Sequence, residues 1–287
     1  MDRWGTPDAA ADQHSGVTDM IEVSETARPD LLAERLHHAR RNRTLLDAHR
    51  DATALSTDSA YAIQQHLTRL RLAEGRCHVG YKLGYTSAVM RRQMGVSAPN
   101  YGPLLDDMVL HDDAAAAGFL HPRVEPEIGI VLSKDLSGPG LMLTEVAAAV
   151  GEVRACLEIV DSIWRDYRFT AEQNTADGSS AAGVVLGPVL DIDPLHAHRI
   201  RLELSEDGTA VETAVSAAAA GHPLHGVAWL AGELTARGGS LHKGELIITG
   251  GLTAAIPLRA GATIAARFGR STTVRVRRPE DEKDADI

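Results

Sequence analysis

The segment HPRVEPEIGIVL, residues 121–132, places Glu125 and Glu127 at the start of an otherwise apolar run. Because side chains alternate between the two faces of a β-strand, a strand over 124–132 directs both glutamates to one face and the apolar Ile128 and Ile130 to the other. Two ionised carboxylates about 6 to 7 Å apart along a strand repel each other unless water or a cation lies between them. The pattern is compatible with a divalent cation site, and also with two solvated acids on an edge strand.

A third carboxylate, Glu158, interrupts another apolar, strand-like run, ACLEIVDS at 155–162. A carboxylate inside a β-rich core is seldom ionised unless it is paired or ligated. Three such acids suit Mg²⁺ or Mn²⁺, because hard divalent ions prefer oxygen ligands. An anionic substrate would need a nearby cation, and Lys82 in GYKLGYTS is the candidate. The alternative for Lys82 is a solvated lysine on an exposed strand face.

The pattern of apolar residues predicts an α+β fold. Apolar residues recur at helical intervals over 29–50 and 57–74, and further helices are expected over 144–154 and 223–237. Short β-favouring runs follow, and they predict a largely antiparallel sheet or barrel. These runs lie at 78–87, 124–132, 155–161, 184–190, 199–205, 210–216, 245–249, 262–268 and 272–277. EDGT at 206–209 predicts a tight hairpin, because Asp-Gly supplies the positive φ angles of such a turn.

Composition excludes several classes of protein. The net charge of −10 over 287 residues argues against nucleic-acid binding, which requires basic patches to neutralise phosphates. We find neither an uninterrupted apolar segment long enough for a membrane helix nor a secretion signal at the N-terminus. The two cysteines, Cys77 and Cys156, are too few and too far apart for a disulfide framework or a zinc site. We therefore expect a cytoplasmic protein.

Six collinear blocks resemble the 2-keto-4-pentenoate hydratase and 4-oxalocrotonate decarboxylase family, within the fumarylacetoacetate hydrolase superfamily. The blocks are GYKLGYTSAVMRRQMGVSAPNYGPLLDDM (80–108), HPRVEPEIGIVL (121–132), ACLEIVDSIWRDYRF (155–169), TADGSSAAGVVLG (175–187), GHPLHGVAWLAGEL (221–234) and GELIITGGLTAAIPLRAG (244–261). The resemblance runs from about residue 30 to residue 277. It implies a helical N-terminal part joined to a mixed, largely antiparallel β-roll of the fumarylacetoacetate hydrolase C-terminal type.

Composition and the spacing of apolar residues, together with the resemblance, predict the organisation of the chain. We expect a disordered leader over 1–27, a helical N-terminal part over 28–76, a metal-binding catalytic β-roll over 77–278 and a charged tail over 279–287. Family members assemble as homo-oligomers, and the decarboxylases form complexes with a partner hydratase. The implied partner of this chain is a small 2-oxo acid, with no nucleic acid and no membrane.

The resemblance assigns roles to individual residues. Glu125, Glu127 and Glu158 correspond to ligands of Mg²⁺ or Mn²⁺. The implied catalytic residues are Lys82 and Asp177, and the implied substrate-binding residues are Ser180, Asn100 and Thr253. We place Arg123 outside the site, and we expect His121, His222 and His225 to be surface or core residues rather than ligands.

The implied activity is that of a lyase which decarboxylates a 2-oxo-3-hexenedioate-like substrate through a metal-stabilised dienolate. The alternative is a 2-keto-4-pentenoate hydratase, but such hydratases carry an aspartate where PNYG has Asn100. The block TGGLTAAIP also resembles the decarboxylases more closely. Gly178 replaces an asparagine of the family pattern. This difference weakens the assignment of either family substrate to this chain. A non-catalytic subunit of a hydratase–decarboxylase complex, and an acylpyruvate-cleaving enzyme with a His–Glu pair, are also compatible with the sequence.

Overall fold

The computed structural model describes residues 28–52, 55–88, 91–92 and 95–281. The predicted leader over 1–27 and the end of the predicted tail, 282–287, lie outside the described residues. The helices are α1 (Pro29–Arg41), α2 (Ala48–Asp51), α3 (Thr57–Ala73), α4 (Leu143–Ala147), α5 (Ala171–Ala176) and α6 (Pro223–Ala236). None of the helices among these residues combines the length and apolarity needed to cross a bilayer.

The strands form two sheets. They are β1 (His78–Gly84), β2 (Asn100–Leu105), β3 (Val109–His111), β4 (Ala114–Ala115), β5 (Arg123–Leu132), β6 (Val150–Val160), β7 (Ala181–Val189), β8 (Arg201–Glu206), β9 (Thr209–Val215), β10 (Leu246–Ile248), β11 (Ile256–Pro257), β12 (Thr263–Phe268) and β13 (Thr272–Arg277). The larger sheet has the order β2-β1-β10-β5-β6-β7-β3, with β11 also pairing with β5. The smaller sheet has the order β4-β13-β12-β8-β9. The pairs β1–β10, β3–β7 and β4–β13 are parallel and the others antiparallel, so the predicted α+β class with a mixed, largely antiparallel sheet is confirmed.

Two local predictions have different outcomes. The β8–β9 hairpin is confirmed: Asp207 (φ 50°) and Gly208 (φ 81°) take the left-handed backbone of a tight turn. The helix expected over 144–154 is wrong in its second half, because α4 ends at Ala147 and β6 begins at Val150. The start of β6 pairs with the end of β5, and this tertiary pairing overrides the local helical pattern.

The alternation expected for β5 is present, and it separates the core from the site. Val124, Ile128 and Ile130 are fully buried in the main hydrophobic cluster, which also contains residues of the smaller sheet and of α6. The smaller sheet packs on this face through β13, which lies against β6 and β7. The glutamates of β5 therefore occupy the opposite face of the larger sheet.

The helical N-terminal part is fastened to that opposite side by buried polar contacts. A guanidinium nitrogen of Arg40 in α1 donates to the Asp161 carbonyl at 2.8 Å, and Arg40 also lies 3.1 Å from Asp177 Oδ1. Both aspartate side chains are only 1% exposed. In α3, the Gln64 amide donates to the carbonyls of Tyr101 and Thr175, at 2.8 Å each. These contacts fix α1 and α3 against the turn that follows α5.

We expect Arg40→Met to lower the free energy of unfolding by about 3 kcal/mol, because it leaves the buried Asp161 and Asp177 carboxylates without their cation. The matched control is Arg41→Met, since the Arg41 side chain is 68% exposed and its ion pair with Glu74 lies at the surface. That substitution should cost about 0.5 kcal/mol or less. Urea denaturation at neutral pH measures both values. Equal losses for the two variants would contradict the account of Arg40.

Candidate metal centre

The strand register brings the three predicted glutamates together. Glu125 of β5 lies directly opposite Glu158 of β6, and Glu127 lies opposite Cys156, the next residue of β6 on the same face. One carboxylate oxygen from each glutamate lies within 4.8 Å of the others. Glu127 and Glu158 have no exposed surface. The interpretation of two solvated acids on an edge strand is therefore wrong, because β5 is an interior strand on which Glu127 is fully buried and Glu125 is half-buried.

The oxygens of this cluster lack the hydrogen bonds that buried carboxylates need. Glu127 Oε2 accepts from the Gly250 N–H at 2.7 Å, whereas Glu127 Oε1 and Glu158 Oε2 have no hydrogen-bond donor among the described residues, and Glu158 Oε1 has only its ion-pair contact with Lys82. Burial raises the pKa of Glu125 to about 7, and the charge of Glu158 adds to the effect. Burial also raises the pKa of Glu127 and of Glu158. Unsatisfied, desolvated oxygens at this spacing fit a hard divalent cation, which would satisfy them and keep them ionised.

Lys82 supplies a positive charge at the edge of the cluster. Lys82 lies on β1 opposite Ile248 of β10, and Ile248 lies opposite Gly129 of β5. The Lys82 side chain therefore projects from the same face of the sheet as the glutamates. Its Nζ lies 3.1 Å from Glu158 Oε1 and donates to the Ser179 carbonyl at 2.9 Å. Burial lowers the pKa of Lys82, but the three carboxylates outweigh burial and the net pKa is raised. Lys82 is only 4% exposed, so the interpretation as a solvated lysine is wrong.

Two glycines after β10 allow the chain to approach the carboxylates. Gly250 has a left-handed backbone (φ 98°), and a Cβ there would lie 2.1 Å from Thr86 Oγ1. A Cβ on Gly251 would lie 2.8 Å from the carboxyl carbon of Glu125. A side chain at Gly251 would push the backbone away from Glu125, and one at Gly250 would collide with Thr86. The two glycines are therefore required by the left-handed backbone and the contact with Thr86 at residue 250, and by the close approach to Glu125 at residue 251.

The turn after α5 forms the opposite wall. Gly178, Ser179 and Ser180 have consecutive left-handed backbones, with φ values of 78°, 59° and 54°. This conformation directs the Ser179 carbonyl to Lys82. The turn also packs tightly on β2, since a Cβ on Gly102 would lie 1.9 Å from the Gly178 carbonyl oxygen.

A cavity of about 440 Å³ lies between these walls. Of the predicted site residues, Lys82, Glu125, Ser180 and Thr253 line it. Asn174 and Tyr85 line it as well, although the sequence motifs do not identify them. Asn174 Nδ2 donates to Ser180 Oγ at 3.2 Å, so this cavity wall has an amide although residue 178 is glycine. Burial raises the pKa of Tyr85 to about 12, so its phenol is a hydrogen-bond donor at neutral pH.

The structure places Asp177 and Asn100 behind the cavity wall. The Asp177 carboxylate accepts from Arg40 at 3.1 Å and from the Ile163 N–H at 3.0 Å. Burial raises the pKa of Asp177 in spite of the nearby Arg40. Asn100 accepts from Ser179 Oγ at 2.9 Å and donates to Thr175 Oγ1 at 3.0 Å. Both side chains thus support the turn at 178–180, and a catalytic role for Asp177 stays a prediction. A larger cavity of about 670 Å³ on the far side of Asp177 contains none of the three glutamates.

The placement of Arg123 outside the site is wrong. Arg123 precedes Glu125 by two residues on β5, so its side chain projects from the same face of the strand. It lines the same cavity as Glu125. The alternation that identifies Glu125 and Glu127 therefore also identifies Arg123. His121, His222 and His225 are not among the residues that line this cavity.

Comparison with known proteins identifies the family. Residues 83–277 match the family model described as fumarylacetoacetate (FAA) hydrolase C-terminal. The chain belongs to the fumarylacetoacetate hydrolase family, and the expected resemblance is confirmed.

Individual relatives narrow this assignment. The chain is 35% identical over 260 residues to 2-oxo-hept-4-ene-1,7-dioate hydratase of Escherichia coli, covering 86% of this chain and 96% of that protein. It is 33% identical over 260 residues to 2-keto-4-pentenoate hydratase of Paraburkholderia phymatum, covering 88% of this chain and 98% of that protein. The solved structure of 4-oxalocrotonate decarboxylase from Pseudomonas putida G7, complexed with magnesium and adipate, superposes with a TM-score of 0.83 at 32% identity, covering 87% of this chain and 97% of that one.

The carboxylate cluster predicts how stability depends on pH when the protein is kept metal-free with chelator. Free glutamates have a pKa of about 4.3 in the unfolded chain. Folding raises the pKa of Glu125 to about 7, and it raises those of Glu127 and Glu158 as well. The folded state therefore binds more protons than the unfolded state. The contribution of these carboxyl groups to the free energy of unfolding is present at low pH and is lost as the pH rises through about 7.

We therefore expect Mg²⁺ to raise the melting temperature more at pH 8 than at pH 5.5, because the ion replaces the protons. Thermal unfolding followed by circular dichroism measures this difference. Glu127→Gln removes one of the buried charges, so both the pH dependence and the Mg²⁺ effect should become smaller. A Mg²⁺ effect of equal size at both pH values would count against the cluster as a cation site.

Proposed function

We propose that this chain is a divalent-metal-dependent lyase acting on a 2-oxo-alkenoate or 2-hydroxy-dienoate. The main reaction proposed is decarboxylation of a 2-oxo-3-hexenedioate (4-oxalocrotonate)-like substrate. The observation that carries the proposal is the group of Glu125, Glu127 and Glu158, with Lys82 in ion-pair contact, at a cavity of about 440 Å³. The decarboxylase and hydratase relatives support the same reaction class.

The three glutamates fit Mg²⁺ or Mn²⁺ as ligands. They offer only oxygen donors, and two of them are fully buried with unsatisfied oxygens. Such a donor set suits a hard dication that retains other positions for water or substrate. When bound, the ion would supply Lewis acidity towards the carboxylate and 2-oxo groups of the substrate.

The protein's own residues would supply the charge and hydrogen bonds around the substrate. The Lys82 ammonium is held beside the cluster by the Ser179 carbonyl, so it favours negative charge on a substrate oxygen and can carry a proton. Ser180 and Asn174 present a hydroxyl and an amide to the same cavity. The Tyr85 phenol is a further donor in this wall.

The decarboxylase is favoured over the hydratase by residue 100. Hydratases of this type present an aspartate there for proton transfer or water activation, whereas the Asn100 amide is not basic. Its oxygen accepts from Ser179 and its nitrogen donates to Thr175, so both ends of the amide already have partners. 2-Keto-4-pentenoate hydratase activity remains the second candidate, because the hydratase relatives match nearly the whole chain.

A non-catalytic role and an acylpyruvate-cleaving activity both lose support. A non-catalytic partner subunit would not require a buried Lys82 beside a fully buried Glu158, a pair that is unfavourable without a function. An acylpyruvate-cleaving enzyme would add a histidine near the metal, and no histidine is among the described residues that line this cavity. Assembly as a homo-oligomer, association with a partner hydratase or decarboxylase, and a cytoplasmic location remain predictions.

The purified protein should be incubated with Mg²⁺ and either 2-oxo-3-hexenedioate or 2-hydroxypenta-2,4-dienoate, with CO₂ release and dienol absorbance recorded. We expect CO₂ from the first substrate without addition of water. Loss of the dienol without CO₂ would instead select the hydratase.

Glu127→Gln should lower the rate at least about a hundredfold, because it removes a charged ligand oxygen. The matched control is Glu152→Gln, since Glu152 lies on β6 like Glu158 but its side chain is 41% exposed and pairs with Arg154. Full activity of Glu127→Gln would refute the metal-dependent mechanism, and so would activity that survives chelator.

A further inference from the structure

Arg123 is an arginine in the cavity whose polar groups have no partner among the described residues. Its side chain lines the cavity beside Glu125, on the same face of β5. The guanidinium forms no hydrogen bond and no ion pair within the part of the chain that the structure describes. Its one specific contact there is with an aromatic ring, because Arg123 Cζ lies 4.2 Å from the centroid of Tyr167. The planar donor group is therefore available to a ligand.

Tyr167 holds the guanidinium in position. Its hydroxyl lies 3.0 Å from the Val160 carbonyl and 3.1 Å from the His121 carbonyl, so the end of the ring is fixed by hydrogen bonding to the backbone. Asp166 and Tyr167 both have left-handed backbones, each with φ of 56°, in the short helical turn that carries the ring. An arginine stacked on a ring keeps the N–H groups along its edge available for hydrogen bonding. Tyr167 thus fixes Arg123 without occupying its donors.

The position of Arg123 relative to the carboxylates suggests the size of the ligand. Two residues along a strand span about 6 to 7 Å, so Arg123 starts about that far from Glu125 along β5. This separation is close to the length of a short extended dicarboxylate. A 2-oxo acid held at the glutamate cluster by one end would have its other end beside Arg123.

The charges of the cavity leave one cation without an acceptor when the ligand carries a single carboxylate. Lys82 and Arg123 provide two positive charges against the three carboxylates. With a dication bound, the positive charges exceed the negative ones. A monoanion would neutralise this excess at the cluster itself, but it would leave Arg123 without an acceptor. A second carboxylate at the far end of the ligand would satisfy Arg123.

We propose that Arg123 binds the distal carboxylate of a dicarboxylic 2-oxo acid and makes the site selective for such dianions over monoacids of equal length. The inference rests on the proposed function, which places the 2-oxo acid end at the glutamate cluster. The planar guanidinium binds a carboxylate through two parallel hydrogen bonds, which a lysine cannot reproduce. In the proposed decarboxylation the distal carboxylate is the group that leaves as CO₂, so Arg123 stabilises a charge that the bound substrate has and that the transition state is losing. Loss of Arg123 should therefore raise KM without lowering kcat.

The test is a calorimetric titration of the Mg²⁺-loaded protein with 2-oxoadipate and with 2-oxohexanoate, which differ only in the distal carboxylate. The wild-type protein should bind 2-oxoadipate about tenfold to a hundredfold more tightly. Arg123→Gln should lose this preference while its affinity for 2-oxohexanoate stays unchanged. Arg123→Lys should recover part of the preference. The matched control is Arg267→Gln, because Arg267 lies on β12 of the smaller sheet, and that variant should behave as wild type.

The outcomes separate this inference from the proposed function. Equal affinity of the wild-type protein for the two acids would overturn the role of Arg123 and leave the metal-dependent function intact. A parallel loss of affinity for both acids in Arg123→Gln would also overturn it, because Arg123 would then act on the metal cluster through Glu125. If the Mg²⁺-loaded wild-type protein bound neither acid, the proposed function itself would fail. The wild-type comparison needs no variant, so a folding defect in Arg123→Gln does not prevent the test.

Discussion

The mutual repulsion of three carboxylates, two of them fully buried, on one face of the larger sheet is the constraint on which the rest of this structure depends. Glu125 and Glu158 are direct cross-strand neighbours, an arrangement that destabilises a sheet when both are ionised. The protein surrounds them with compensating groups: the Lys82 ammonium, the Gly250 N–H and the nearby charge of Arg123. These groups still leave oxygens unsatisfied, and a divalent cation accounts for the remainder.

Two parts of the fold position the cluster: the packing beneath the larger sheet, and the turn at 178–180 on its other face. The smaller sheet and α6 bury the apolar face of the larger sheet, which holds β5 and β6 in register. On the other face, the helical N-terminal part fixes the turn at 178–180 through Arg40 and Gln64. That turn directs the Ser179 carbonyl to Lys82. The N-terminal helices therefore act on the site indirectly, because they hold the backbone turn that positions Lys82.

Much of this arrangement follows from the sequence, and the predictions that are wrong or missing have physical causes. Strand alternation places Glu125 and Glu127 correctly, and the same alternation applied to Arg123 places that residue in the cavity too. The contacts of Asp177 with Arg40 cannot be found in this way, because they join residues 137 positions apart through tertiary packing. Tyr85 and Tyr167 line the cavity from left-handed backbone conformations that no local pattern predicts for tyrosine. The start of β6 has a helical pattern of apolar residues but pairs with β5, and that pairing is likewise non-local.

Relatives named as decarboxylases and relatives named as hydratases share this family, and we propose that the chemistry common to both resides in the carboxylate cluster and the differences in the cavity wall. A titration with Mn²⁺ followed by electron paramagnetic resonance tests most directly whether the carboxylate cluster binds a divalent cation. We predict a single Mn²⁺ site per chain that Mg²⁺ competes for and that Glu158→Gln abolishes, while the folded secondary structure is retained. Binding of Mn²⁺ with equal affinity by the wild-type protein and by Glu158→Gln would contradict the account.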